Sequence, residues 1–170
     1  MNRQMLIKNL YEVRFLHDVE QEHLEKIAEV AELVNFETDK VIFRDGDQAE
    51  SVYFIVRGGV SLEMCAPGVG CKRILTLGSG DLLGWSALLE RSRLTATART
   101  TDATRLVKVH AGLLLTLCDH NPQFGYEIMH RTSLSLAKRL NVTRMQLLDM
   151  YGSHTPTNPE VAQMGGDDAG

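Results

Sequence analysis

Ser51-Val52-Tyr53-Phe54-Ile55-Val56-Arg57, then Gly58-Gly59, then Val60-Ser61-Leu62-Glu63-Met64-Cys65, decides the fold class. Two β-branched and aromatic runs separated by a glycine pair read as paired strands joined by a tight turn. The same grammar extends to both sides. Val41-Ile42-Phe43, Cys71 to Leu77, Thr95 to Arg99 and Thr104 to Val109 are further short runs. They are separated by Asp45-Gly46-Asp47, Ala66-Pro67-Gly68-Val69-Gly70 and Gly78-Ser79-Gly80-Asp81. Parallel strands need a crossover of a dozen or more residues, for which there is no room. The expectation is an antiparallel β-barrel or sandwich of about eight strands between residues 40 and 110.

Helices should flank it. Residues 18–34 predict one, capped by Asp18 with Gln21 three residues on, and with Leu24, Ile27, Ala28, Ala31 and Val34 as its apolar stripe. After the strands, Ala111 to Cys118 predicts a short helix. Asn121 is a suitable cap and Pro122 a suitable first residue for a helix over 122–150, about 43 Å long. Residues 1–152 then form one domain, and 153–170, with two prolines and three glycines, a disordered tail.

Composition narrows the function. Hydrophobic residues are 44% and charged residues 24%, as in ordinary globular proteins, and 170 residues bury a core without staples. Lys+Arg 18 against Asp+Glu 22 gives net −4, which argues against a coat for nucleic acid. No apolar run is long enough for a membrane span or a signal peptide. Cys65, Cys71 and Cys118 form no C-x-x-C, which predicts free thiols in a reducing, cytoplasmic setting. Cys65 and Cys71 flank the Pro67-Gly68 turn and could meet across it, but the reading adopted is two incidental thiols.

No catalytic constellation is present. The six histidines are scattered, with no H-x-x-x-H pairing, so neither a metal nor a cofactor is implied. On the long helix, Met129, Leu136, Leu140, Leu147 and Met150 form a 3/4-spaced seam. That seam predicts a homodimer, with wholly intramolecular packing as the alternative. Arg131, Lys138, Arg139 and Arg144 on the same helix read as a solvated face.

One segment has a different grammar: Gly80-Asp81-Leu82-Leu83-Gly84-Trp85-Ser86-Ala87-Leu88-Leu89, then Glu90 to Arg93, then Leu94-Thr95-Ala96-Thr97-Ala98-Arg99. It is a glycine turn, one helical turn whose amides at Ser86 and Ala87 could face an anion, and a strand. With Val41 to Asp47 and Ser51 to Val60 in the same order, the chain resembles the cyclic nucleotide-binding domain family over about residues 10–150. The family includes the bacterial catabolite activator protein and the regulatory subunits of cAMP-dependent protein kinase. The resemblance implies an antiparallel jelly-roll barrel with helices at both ends. It places Gly84, Trp85, Ser86, Ala87, Leu94, Thr95 and Ala96 in the phosphate-binding cassette.

Two family contacts are absent. Where the family has a glutamate for the ribose, this chain has Trp85; where it has an arginine for the cyclic phosphate, this chain has Leu94. The expectation is a stand-alone, non-enzymatic sensor domain with altered or lost cAMP and cGMP binding, acting through its long helix on an unknown downstream protein. The alternative is a structural or interaction module with no small-molecule ligand. Transcription factors of the family continue into a DNA-reading domain; this sequence stops after Gly152 and its tail, so no DNA binding is expected.

Overall fold

A strand that is apolar at nearly every position must be covered on both sides, and Ser51–Arg57 is. In the computed structural model, which describes residues 3–89 and 93–152, this strand (β3) lies inside a four-stranded sheet. The elements before it are α1 (Arg3–Glu12), α2 (Gln21–Glu29), β1 (Ala31–Phe36) and β2 (Val41–Phe43). After it come β4 (Gly59–Ala66), β5 (Gly70–Gly78), β6 (Leu82–Leu83), β7 (Thr97–Thr100) and β8 (Thr104–His110). Two helices complete the chain, α3 (Ala111–His120) and α4 (Pro122–Gly152).

The strands form two antiparallel sheets, ordered β1-β8-β3-β6 and β2-β7-β4-β5. The alternation of β3 divides the core. Val52, Phe54 and Val56 face the helices, packing with Leu24 and Ile27 of α2, Leu114 of α3 and Phe124 and Ile128 of α4. Ile55 faces the other sheet, with Leu83 and Leu106 meeting Phe43, Val60, Leu77 and Ala98. The antiparallel expectation holds, with seven strands between residues 40 and 110 and an eighth, β1, before them, and with one change of form. The strands make a two-sheet sandwich, with no continuous seam of paired strands closing it into a barrel among the described residues.

Three expectations are corrected. The helix over 18–34 is shorter, and Ala31, Leu33 and Val34 belong to β1, paired with Val109, Val107 and Leu106. The spacing of Ala31 and Val34 fits a helical stripe, but the edge of β8 offers six residues of ladder, which a helix end cannot match. Asp18 does not cap α2: it has φ +63°, and the cap position is Glu20 with no side-chain bond. Cys65 and Cys71 are not two free thiols. They stand directly opposite in the β4–β5 ladder and are joined by a disulfide, while Cys118 is free and buried. The cysteines therefore give no support to a reducing compartment. No helix among the described residues is long and apolar enough to cross a membrane. The proposed tail over 153–170 lies outside the described residues.

The start of α4 is fixed by its sequence. The Asn121 Oδ1 accepts from the Phe124 amide at 3.1 Å. Its side-chain amide donates to His23 Nε2 at 2.8 Å, and the imidazole stacks on Phe124 with centroids 4.6 Å apart. Further along, Arg131 donates to the Phe15 carbonyl at 2.9 Å and pairs with Glu127 at 2.6 Å. Phe124, Ile128 and Thr132 form the buried stripe of the helix, and the residues from Leu140 onward are exposed.

Candidate functional site

β6 ends against β3, with Leu82 opposite Phe54 and Leu83 opposite Tyr53. The chain then turns at Gly84, whose φ is +69° and where a Cβ would lie 2.7 Å from the Ser51 carbonyl. Only glycine makes that turn without displacing β3. A 3-10 turn over Trp85–Leu88 follows. Its amides are partly engaged: Ala87 N–H donates to the Gly84 carbonyl at 3.2 Å. The expectation that the Ala87 amide faces a ligand is therefore corrected, and its side chain packs in the helix-side core rather than the cavity.

The second wall comes from the return strand. Leu94 N–H donates to the Asp47 carbonyl and the Leu94 carbonyl accepts from Gly46 N–H, both at 2.9 Å. This exchange fixes which way residue 94 points. Its side chain is 7% exposed and lies in the inter-sheet core with Phe43 and Leu83. Arg93, its neighbour, is exposed and donates to the Gly46 carbonyl at 2.6 Å. It does not stand in for a cation at position 94.

Six of the seven cassette residues, Gly84, Trp85, Ser86, Leu94, Thr95 and Ala96, line one cavity with Phe43, Leu62 and Leu83. Its volume is about 50 Å³. Small-molecule sites usually have roughly 300–1,000 Å³, so this one has room for no more than a few waters. The indole of Trp85 reaches from the helix-side core to the cavity wall.

The remaining lining residue is Arg139 of α4. Its Nη2 donates to the Leu82 carbonyl, two residues before the glycine turn. Burial lowers its pKa, opposed by the nearby Asp81 carboxylate, which itself accepts from Gly78 N–H at 2.9 Å. The reading of Arg131 and Arg139 as part of a solvated face is thus corrected: both dock α4 onto the body. A signal existed, since Arg139 continues the Phe124, Ile128, Thr132 stripe at helical spacing. The seam of the sequence reading is split. Met129 and Leu136 are half-buried, and Met129 packs on the domain's own core, whereas Leu140, Leu147 and Met150 are 50%, 51% and 66% exposed. Among the described residues no cluster of three or more His, Cys, Asp or Glu could hold a metal ion.

Known proteins agree with this architecture. A cyclic nucleotide-binding domain from Methylobacillus flagellatus superposes with a TM-score of 0.73 at 16% identity, covering 87% of this chain and 83% of that one. The catabolite activator protein of Thermus thermophilus gives 0.65 at 23% identity, covering 81% and 63%. A CRP-like cAMP-activated global transcriptional regulator of Mycobacterium tuberculosis is 25% identical over 124 residues, covering 72% of this chain and 53% of the regulator. The chain spans between 6% and 53% of the length of three curated relatives it matches. The profile of the cyclic nucleotide-binding domain matches residues 33–121, more than half of the sequence, and the chain belongs to that family.

Proposed function

We propose that this domain is a non-enzymatic regulatory module whose ligand chemistry has moved away from cAMP and cGMP, with α4 as its output. The observation that carries this is Leu94. It is buried in the inter-sheet core and held by two backbone bonds to the 46–47 turn; on the register of the resemblance it stands where the family has its phosphate-binding arginine. A buried phosphate that loses its cation gives up about 3–5 kcal/mol, or roughly two to three and a half decades of affinity. Trp85 in place of the ribose-binding glutamate removes the second charged contact. The exposed Leu140, Leu147 and Met150 suit pairing with a second copy along the distal half of α4.

Isothermal titration with cAMP and cGMP tests the reading. Wild type should bind in the millimolar range or not at all, and micromolar binding would overturn it. The small cavity favours a second reading, a module with no small-molecule ligand. A thermal-shift panel of nucleotides and metabolites separates the two, because a ligand of the native state raises Tm by mass action.

A further inference from the structure

A second groove lies on the flank of α4, lined by none of the cassette residues. The turn before β6 forms its floor. Gly80 has φ +87°, and its amide donates to the Ile55 carbonyl at 2.7 Å. A Cβ at Gly80 would lie 2.6 Å from the Arg14 Cβ, so only glycine lets the 3-10 turn Arg14–Leu16 come down on this loop. That close approach stations Arg14 over the floor. Asp81 is fixed beside it: Oδ2 accepts from Gly78 N–H at 2.9 Å, and the backbone carbonyl accepts from Ile55 N–H at 3.0 Å. The facing wall is the side of α4 that carries Arg131, Ser135 and Lys138 at i, i+4 and i+7, while Phe15 and Leu134 supply apolar surface. The open groove has a volume of about 320 Å³, within the roughly 300–1,000 Å³ of small-molecule sites.

Its donors are unused. Arg131 is engaged by the Phe15 carbonyl and Glu127 and serves as wall. The side chains of Arg14, Ser135 and Lys138 have no hydrogen-bond or ion-pair partner among the described residues. Ser135 departs from the habit of its own helix. Thr132, Ser133 and Thr143 each donate to the carbonyl four residues back, at 2.8, 2.9 and 2.9 Å. The half-buried Ser135 does not, and its hydroxyl stays available in the groove wall. A guanidinium, an ammonium and a hydroxyl match the three terminal oxygens of a phosphate dianion in charge and in donors. Asp81 sets the rest of the ligand. Its Oδ1 has no hydrogen-bond partner among the described residues, and a carboxylate repels a bare anion but accepts from a hydroxyl.

We propose that this groove binds the phosphate monoester of a small polyol, such as a sugar phosphate. Arg14, Ser135 and Lys138 hold the phosphate, and Asp81 accepts from a hydroxyl of the carbon body, which lies on Phe15 and Leu134. The site goes beyond the reading of the cassette and does not depend on whether the cassette keeps a ligand.

The test is a nuclear magnetic resonance titration of the 170-residue chain with glucose 6-phosphate and glycerol 3-phosphate, and with glucose and inorganic phosphate as partial ligands. At least one ester should give saturable shifts at Arg14, Phe15, Asp81, Ser135 and Lys138, with Gly84 and Thr95 unmoved. Glucose should be silent. Inorganic phosphate, with no carbon body to reach Asp81 and the apolar wall, should bind several-fold more weakly than the ester. Arg14→Gln and Lys138→Gln should each weaken the ester by about fivefold or more, the loss of one charge-assisted contact. Both side chains are exposed, so Tm should hold. Asp81→Asn keeps an acceptor for the Gly78 amide but removes the charge, and should narrow the preference for the ester over inorganic phosphate. No response to either ester, shifts centred on the cassette, equal affinity for inorganic phosphate in wild type, or undiminished binding by folded Arg14→Gln and Lys138→Gln proteins each overturns the proposal.

Discussion

Restoring the two missing charges should create a cyclic-nucleotide site. The perturbation is Trp85→Glu with Leu94→Arg, compared with each single variant and wild type. Leu94 is 7% exposed among Phe43, Leu83 and Ala98, and removing a buried leucine side chain from that cluster costs about 2 kcal/mol. For a chain of this length that is a fall in Tm of about 4–8 °C. The backbone at 94 is held from both sides by the 46–47 turn, so the introduced guanidinium starts where the leucine does, at the cavity wall. Against a cyclic phosphate it should return about 3–5 kcal/mol, enough to bring millimolar binding toward the micromolar range. Leu94→Arg alone gathers two guanidiniums, its own and Arg139, around one cavity without room for the ribose. Trp85→Glu alone puts a carboxylate near a phosphate with no added cation. The gain should therefore require both changes, and titration of the four proteins with cAMP measures the coupling. A folded double variant that binds no better than wild type would refute the register of the cassette. An unchanged Tm for Leu94→Arg would refute its burial.

Gly84→Ala should destabilise by about 2–4 kcal/mol in urea unfolding, because φ is +69° and the new Cβ meets the Ser51 carbonyl at 2.7 Å; a loss under about 0.5 kcal/mol would refute this. Leu140→Glu with Leu147→Glu should bring the light-scattering mass from twice the single-chain 19.0 kDa to that value, with the monomer still folded because both side chains are about half exposed. A wild-type mass already at one chain refutes the pairing. Burial, aided by Asp119, pushes the Cys118 thiol up to about 11, so native protein should resist iodoacetamide at mildly alkaline pH, and rapid stoichiometric labelling contradicts it. The native state holds this proton more tightly than the unfolded chain, whose ordinary value is 9.0. Its contribution to stability is thus complete below 9.0 and lost as pH rises toward 11.

The sandwich was legible because β3 and β4 are apolar runs joined at Gly58-Gly59, where φ at Gly58 is +97° and a Cβ would strike Thr104. Local composition alone carries that information. β1 was not legible: Ala31 and Val34 suit a period of 3.6 nearly as well as the ladder that forms, and the choice is made by β8, some seventy residues later. β6 has two residues, too few for any period. The Cys65–Cys71 bond depends on loop register, which a bulge between Leu62 and Glu63 also affects. Six cassette residues were found together because they follow one another along the chain. Arg139 was missed because its role depends on the azimuth of α4. The sequence seam runs through Met129 and Leu136, between about 40° and 100° from the stripe of Ile128 and Thr132 that meets the body. An error of less than one residue in rotation turned a half-buried cation into a surface one.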